Sequence, residues 1–210
     1  MNRIHAEVSI ASSIATLLAV FNSRDFRFTL RTSKGIPVQP PQQPVGPVVE
    51  KTMLSTDERN ELISIIARAP GRLKAAVADL SPEQLSQKYV NWTIRQIVHH
   101  LGDSHIHSYA RFKWALTEDN PTIKPYDETL CADLPDSKEG CILAPLALFE
   151  GLHGRWVQLL RSMNSEQFSR TFYHPASQRT VTLDAALCYY AWHCRHHTGQ
   201  IEWLRSQLGW

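Results

Sequence analysis

Apolar residues recur at alternating steps of three and four in several separate stretches of this sequence. In the first stretch they fall at positions 62, 66, 69, 73, 76 and 80, which places one apolar stripe along a helix. Ser55 and Glu58 precede this stripe in the register of a capping box. A helix with one apolar stripe must bury it against another element, so the repetition of the pattern predicts an all-α fold.

Three further helices are predicted from the same periodicity. The second spans 93–120 and ends before Pro121, and the third and fourth are expected over about 144–163 and 183–208. A loop of about twenty residues follows the second helix, which is longer than compact domains usually carry without a functional reason. Four amphipathic helices predict a bundle with up-and-down or crossover connections.

Shorter elements are expected between these helices. Pro70 should bend the first helix, because proline has no N–H and its ring clashes with the preceding turn. The segment 80–85 reads as a short helix with serine at the N-cap and proline at the first helical position. Residues 172–183 resemble a small hairpin. The complete prediction is a four-helix bundle with long connecting loops and a small hairpin before the last helix.

Residues 1–50 differ in composition from the rest of the chain. The apolar segment 8–21 is too short to span a bilayer, and 37–49 contains five prolines, as an extended linker would. A domain boundary is therefore expected near residue 50. Residues 1–50 form a predicted N-terminal extension, disordered or arising from a misassigned start, and 51–210 form the bundle.

Charge and cysteine usage restrict the classes of partner and the cellular compartment that we expect for this protein. The formal net charge is +2, and no run of lysine and arginine interleaved with aromatic residues is present, which argues against nucleic acid. The sequence contains no apolar span long enough to indicate a membrane protein. None of the four cysteines forms a CxxC pair, and this pattern favours reduced thiols in a cytoplasmic protein.

The last predicted helix contains three histidines within six positions. His193 and His197 lie four residues apart, so they share one face of the helix, and Gln200 falls between them in angle. His196 lies at the edge of that face. Two imidazoles can reach one cation, but two ligands hold zinc poorly, so a third ligand would have to come from another helix.

The second helix offers that third ligand. His100 begins a polar stripe that continues through Ser104, His107 and Arg111, whereas His105 is expected to project elsewhere. A polar stripe facing a bundle interior is costly unless its groups are paired, and a metal beside an aqueous pocket would pair them. The same stripe could equally face solvent, with structural histidines, and spacing alone does not decide between these interpretations.

The sequence also resembles a known family. The stretch "NWTIRQIVHHLGDSHIHSYARFKWALTEDNPTIKPYDE" (91–128), followed by "LHGRWVQLLRSM" (152–163), "FYHP" (172–175) and "YAWHCRHHTGQIEWL" (189–204), closely resembles the YfiT branch of the DinB superfamily. The resemblance covers about residues 55–210. It implies a four-helix bundle that carries one divalent ion, zinc or nickel, on one histidine of the second helix and two of an HxxxH on the last.

Carried onto this chain, the resemblance implies that His100, His193 and His197 are the ligands, the same three residues that the helical spacing selects. It further implies a cytoplasmic homodimer and a small-molecule substrate. Members of the branch are described as metal-dependent hydrolases, and some relatives resemble S-transferases that use bacillithiol or a similar low-molecular-weight thiol. The shortened "KYVNWT" segment departs from the relatives and leaves the substrate open.

Three histidine ligands would leave one position of a tetrahedral ion free, as in catalytic zinc sites. We therefore expect a hydrolase in which the ion activates water. A thiol S-transferase, in which the ion activates a thiol, and a non-catalytic metal-stabilised bundle remain alternatives. His107, Arg111 and Gln200 are candidates to position the substrate or to support a metal ligand, and no general base is assigned.

Overall fold

The computed structural model describes residues 30–31 and 37–210. Predictions for residues 1–29 and 32–36 lie outside these described residues. The elements, in chain order, are β1 (Leu30–Arg31), β2 (Pro37–Val38), α1 (Thr56–Val77), α2 (Pro82–Leu85), β3 (Lys88–Tyr89), β4 (Trp92–Thr93), α3 (Ile94–Thr117), α4 (Glu128–Ala132), α5 (Pro135–Glu139), α6 (Leu143–Ser162), α7 (Ser165–Ser169), β5 (Thr171–His174), β6 (Arg179–Thr182) and α8 (Leu183–Leu208).

The four long helices, α1, α3, α6 and α8, confirm the predicted all-α bundle. Capping boxes form at the starts of α1 and α3, where Ser55 pairs with Glu58 and Thr93 pairs with Gln96. The predicted hairpin is the antiparallel pair β5–β6, with Phe172 opposite Val181. The long connection predicted after α3 spans 118–142 and contains the short helices α4 and α5.

Two of the three connections between the long helices cross the bundle. α1 packs mainly on α6 and α8, and α3 packs on the same two helices. Two pairs of consecutive long helices, α1 with α3 and α6 with α8, therefore lie diagonally across the bundle, whereas α3 and α6 are neighbours. The two diagonal connections run through α2 with β3–β4 and through α7 with β5–β6, which gives the chain the length that a diagonal crossing needs.

The apolar core is divided into two clusters. One contains Ile66, Phe112, Trp156 and Leu187, and the other contains residues from the opposite end of the same helices, among them Leu73, Leu101, Phe149 and Ile201. Five buried histidines whose rings contact one another cross the bundle, and we call them the histidine layer: His100, His105, His153, His193 and His197. Buried polar groups need hydrogen-bond partners or ligands, so this layer is the chemically unusual part of the core.

A buried ion pair fixes the starts of α1 and α8 together. Arg59 donates from Nε and Nη2 to the two carboxylate oxygens of Asp184, each over 2.8 Å. Asp184 also accepts from the backbone N–H of Leu54 at 3.0 Å, and it is 1% exposed. The bidentate geometry satisfies both charges away from water.

Residues 37–50, which we call the strap, lie against α8 and β3. The indole N–H of Trp192 donates to the carbonyl oxygen of Gly46 at 2.8 Å, and the hydroxyl of Tyr89 donates to the carbonyl oxygen of Pro41. Gly46 has a φ of 81°, which favours glycine. These contacts were not predicted, and the domain boundary near residue 50 stays a prediction.

All four cysteines are free, and Cys188 and Cys194 are buried. Among the helices of the described residues, none combines the length and the apolar character needed to cross a membrane.

Candidate metal centre

Three predicted ligands come together between α3 and α8. His100 lies on α3, and His193 and His197 lie one turn apart on α8, which packs against α3. Their ligand nitrogens all lie within 4.8 Å of one another. All three side chains are buried, so the polar stripe of α3 faces the bundle interior here and not solvent.

The spacing of the nitrogens fits a tetrahedral ion. The Nε2 atoms of His100 and His193 are 3.2 Å apart. Zinc–imidazole bonds of about 2.0–2.1 Å at a tetrahedral angle would separate two ligand nitrogens by roughly 3.3–3.4 Å. The two rings therefore need only small movements to bind one ion in common.

Hydrogen bonding prepares His197 for the same role. Its Nδ1 lies 2.8 Å from Oε1 of Gln200, which can only accept, so Nδ1 carries the proton and Nε2 keeps its lone pair. The amide nitrogen of Gln200 in turn donates to Nε2 of His196 at 3.1 Å. The structure thus places Gln200 as a support for His197, one of the two roles considered for it.

Burial keeps the three imidazoles neutral. Desolvation lowers the pKa of His100 to about 3, and it lowers the pKa of His193 and of His197 well below the usual histidine value. A neutral imidazole is the form that binds a metal ion. The half-buried indole of Trp92 covers this cluster, with its ring centre 4.6 Å from that of His100.

A fourth ligand of the usual kinds is absent among the residues that the structure describes. The group that could hold an ion contains His100, His193 and His197 and no other histidine, cysteine or carboxylate. His107 instead stacks on Tyr126, with ring centres 4.3 Å apart. An ion held here would keep a coordination position for water or substrate, which a structural site would not.

Arg111 is a buried cation in the same polar stripe. It is 8% exposed, and its Nη1 donates to the hydroxyl of Tyr190 at 2.8 Å. Within the described part of the chain, no carboxylate lies within ion-pair distance of it. The pKa of nearby His107 is lowered, first by burial and then by the charge of Arg111.

Sequence reasoning missed two histidines of the layer. His105 was expected to project away from the polar stripe of His100 and was not considered part of the site. It is fully buried, with its Nε2 3.2 Å from Nδ1 of His193. It continues the apolar stripe of α3 four residues after Leu101 and seven before Phe112, and this register could have revealed it.

His153 was missed because the stripe of α6 was assigned to the wrong face. Apolar residues at 148, 152, 156, 159 and 163 predict one stripe on this helix from the sequence alone. Leu148, however, is 44% exposed, and the buried stripe runs instead through Phe149, His153, Trp156 and Leu160. Both sets have helical spacing, so periodicity alone does not separate them.

Comparisons with known proteins agree with this architecture. The sequence profile of the DinB superfamily matches residues 65–201. The protein of Bacillus subtilis named "Putative metal-dependent hydrolase YfiT" is 43% identical over 169 residues, which cover 80% of this chain and 95% of that protein. A Bacillus cereus protein named "Putative metal-dependent hydrolase" is 46% identical over 80% of this chain and 96% of its own length.

A solved structure is also similar. YfiT from Bacillus subtilis, described as "a probable metal-dependent hydrolase with an unusual four-helix bundle topology", superposes with a TM-score of 0.78 at 42% identity. The match covers 80% of this chain and 98% of that one. The profile match, the relatives and the shared bundle together show that this chain belongs to the DinB superfamily.

Proposed function

We propose that this protein is a metal-dependent hydrolase in which His100, His193 and His197 hold one divalent ion and leave a position for water. The observation that carries the proposal is the convergence of three buried, neutral imidazoles with no fourth ligand of the usual kinds among the described residues. When bound, such an ion would supply Lewis acidity and lower the pKa of water to about 7. The names of the relatives support the same activity.

The donor set favours zinc, with nickel as the alternative ion. Three imidazole nitrogens suit both metals, whereas magnesium and calcium prefer oxygen ligands. The ion would keep its full charge, because none of the three ligands is anionic.

The chain's own residues would orient the substrate. Arg111 is a buried cation without a carboxylate partner in the described residues, so it would bind an anionic group of a small-molecule substrate. His107, stacked on Tyr126, belongs to the same polar stripe and is a candidate for a further contact. Trp92 shields the histidine rings from bulk water. The proposal includes the cytoplasmic homodimer implied by the resemblance, and light scattering would measure its mass.

The ligand assignment is tested first by metal analysis. Purified protein loaded with zinc is expected to hold about one ion per chain, and each of His100→Ala, His193→Ala and His197→Ala should lose most of it. His99→Ala is the matched control, since His99 is a buried histidine on the same helix outside the candidate group. Retention of the ion by the three variants would rule out the assignment.

The reaction is tested on the loaded protein with ester and amide substrates, with and without bacillithiol, mycothiol or glutathione. Cleavage without a thiol, lost in the ligand variants, would support the hydrolase. Conjugation that requires a thiol would overturn it in favour of the S-transferase. Full metal occupancy without either reaction would favour the non-catalytic bundle.

A further inference from the structure

The proline in α1 leaves one backbone acceptor without its helical donor. In an α-helix the carbonyl of residue i accepts from the N–H of residue i+4, and the donor for Ile66 would be residue 70. Residue 70 is Pro70, which has no N–H and whose ring pushes against that carbonyl. The Ile66 carbonyl oxygen instead lies 2.7 Å from Nδ1 of His153.

From this carbonyl a chain of hydrogen bonds runs through three rings. Nε2 of His153 is 3.1 Å from Nδ1 of His105, and Nε2 of His105 is 3.2 Å from Nδ1 of His193. We call the Ile66 carbonyl, His153, His105 and His193 the imidazole relay. Its members come from α1, α6, α3 and α8, so it crosses the whole bundle.

The carbonyl sets the direction of every bond in the imidazole relay. A carbonyl oxygen only accepts, so Nδ1 of His153 must carry the proton. In a neutral ring Nε2 of His153 then accepts, which places the proton of His105 on Nδ1. By the same step His193 carries its proton on Nδ1, and the lone pair of its Nε2 points toward His100.

We propose that His105 and His153 are positioning residues that hold His193 in the tautomer with a free Nε2, so that this ligand is ready before the ion arrives. A metal-binding histidine commonly donates its other ring N–H to a partner that fixes its orientation. Here the partner is itself an imidazole, and the direction originates at a backbone carbonyl released by Pro70. The inference rests on the proposed metal site, but the tautomers can be measured without metal.

A second metal site is the competing interpretation of these residues. His105, His153 and Cys194 also place ligand atoms within 4.8 Å of one another. Both nitrogens of His105 and of His153, however, already have hydrogen-bond partners, and an ion would have to break the imidazole relay. Sγ of Cys194 is 3.9 Å from Nε2 of His105, and burial raises the pKa of this thiol, which opposes the thiolate that a metal needs.

The test compares two replacements of His153 in otherwise unchanged, full-length protein. His153→Gln keeps an acceptor for His105 and a donor for Ile66, whereas His153→Met fills a similar space with neither. Histidine labelled with ¹⁵N reports the tautomer of each ring by NMR in metal-free protein at neutral pH. Zinc affinity is measured by competition with a chelator, and circular dichroism verifies the fold.

In the wild type and in His153→Gln, His193 is expected to carry its proton on Nδ1. In His153→Met the direction of the relay is no longer set, so a share of His193 should carry the proton on Nε2 and zinc affinity should fall about 10- to 100-fold. If His153→Met does not fold, His105→Gln and His105→Phe make the same comparison one ring closer to His193, with Phe expected to release the tautomer and weaken zinc binding.

Three results would overturn the proposal. The first is an unchanged His193 tautomer together with unchanged zinc affinity in the Met variant, or in the Phe variant if that is the one that folds. The second is an Nε2 proton on His193 in the metal-free wild type. The third is a second zinc equivalent that is lost with Cys194→Ala. A wild type that binds no zinc would refute the proposed function, and the metal-free NMR pattern would still decide the relay.

Discussion

At the scale of single residues, burial decides how much an arginine–carboxylate pair contributes to the stability of the fold. Arg59 and Asp184 form a bidentate pair that is almost fully buried, whereas Arg72 and Glu202 form a similar bidentate pair in which both side chains are exposed. Water screens the exposed pair, and two long side chains must be ordered to form it. Losing one partner of the buried pair leaves a charge without compensation.

Asp184→Ala is therefore expected to lower the free energy of unfolding by about 3–5 kcal/mol. Glu202→Ala, the control in the exposed pair, should cost no more than about 1 kcal/mol. Urea denaturation followed by circular dichroism measures both. Equal losses in the two variants would contradict the assignment of different roles to the pairs.

At the scale of elements, α8 packs on α1 and α3 and also contacts the strap. Its histidine face meets α3, and Gly199 faces the strap, where a Cβ built on Gly199 would lie 3.0 Å from Cγ1 of Val45. The absence of a side chain at Gly199 allows the strap to approach the helix closely. By contrast, a Cβ on Gly154 of α6 would meet nothing within 4 Å.

Gly199→Leu is expected to displace the strap and leave the four long helices intact, because its side chain would occupy the space of Pro44 and Val45. Amide hydrogen exchange should then quicken in residues 38–50, and the fluorescence of Trp192, which donates to Gly46, should change. Gly154→Leu is the matched control and should leave both signals unchanged. Unaltered exchange in Gly199→Leu would show that the close approach does not hold the strap.

At the scale of the whole molecule, the histidine layer makes the core sensitive to acid. Burial lowers the pKa of His153 to about 4 from its usual 6.5. Between these two values the unfolded chain binds a proton at this residue and the folded chain does not. The contribution of His153 to stability is therefore complete above pH 6.5 and is lost as the pH falls toward 4.

In metal-free protein, the free energy of unfolding should fall between pH 6.5 and pH 4 more steeply in the wild type than in His153→Met. Accumulated over this pH range, the extra loss in the wild type should be at most a few kcal/mol, since one pKa unit corresponds to about 1.4 kcal/mol. Denaturation curves across this range measure it. Equal dependence of the free energy of unfolding on pH in the two proteins would refute a neutral, buried His153.

Capping and periodicity are local properties of one helix, so the four long helices, most of their boundaries and the spacing of His193 and His197 can be predicted from the amino acids alone. The same reasoning singles out His100 through its polar stripe. The inward direction of this stripe and the diagonal placement of α1 and α3 follow only from the packing of the whole bundle. The same packing brings His105 and His153 into the layer. Spacing fixes the angle between residues around one helix axis, whereas the rotation of each helix relative to its neighbours depends on how all four apolar faces pack together.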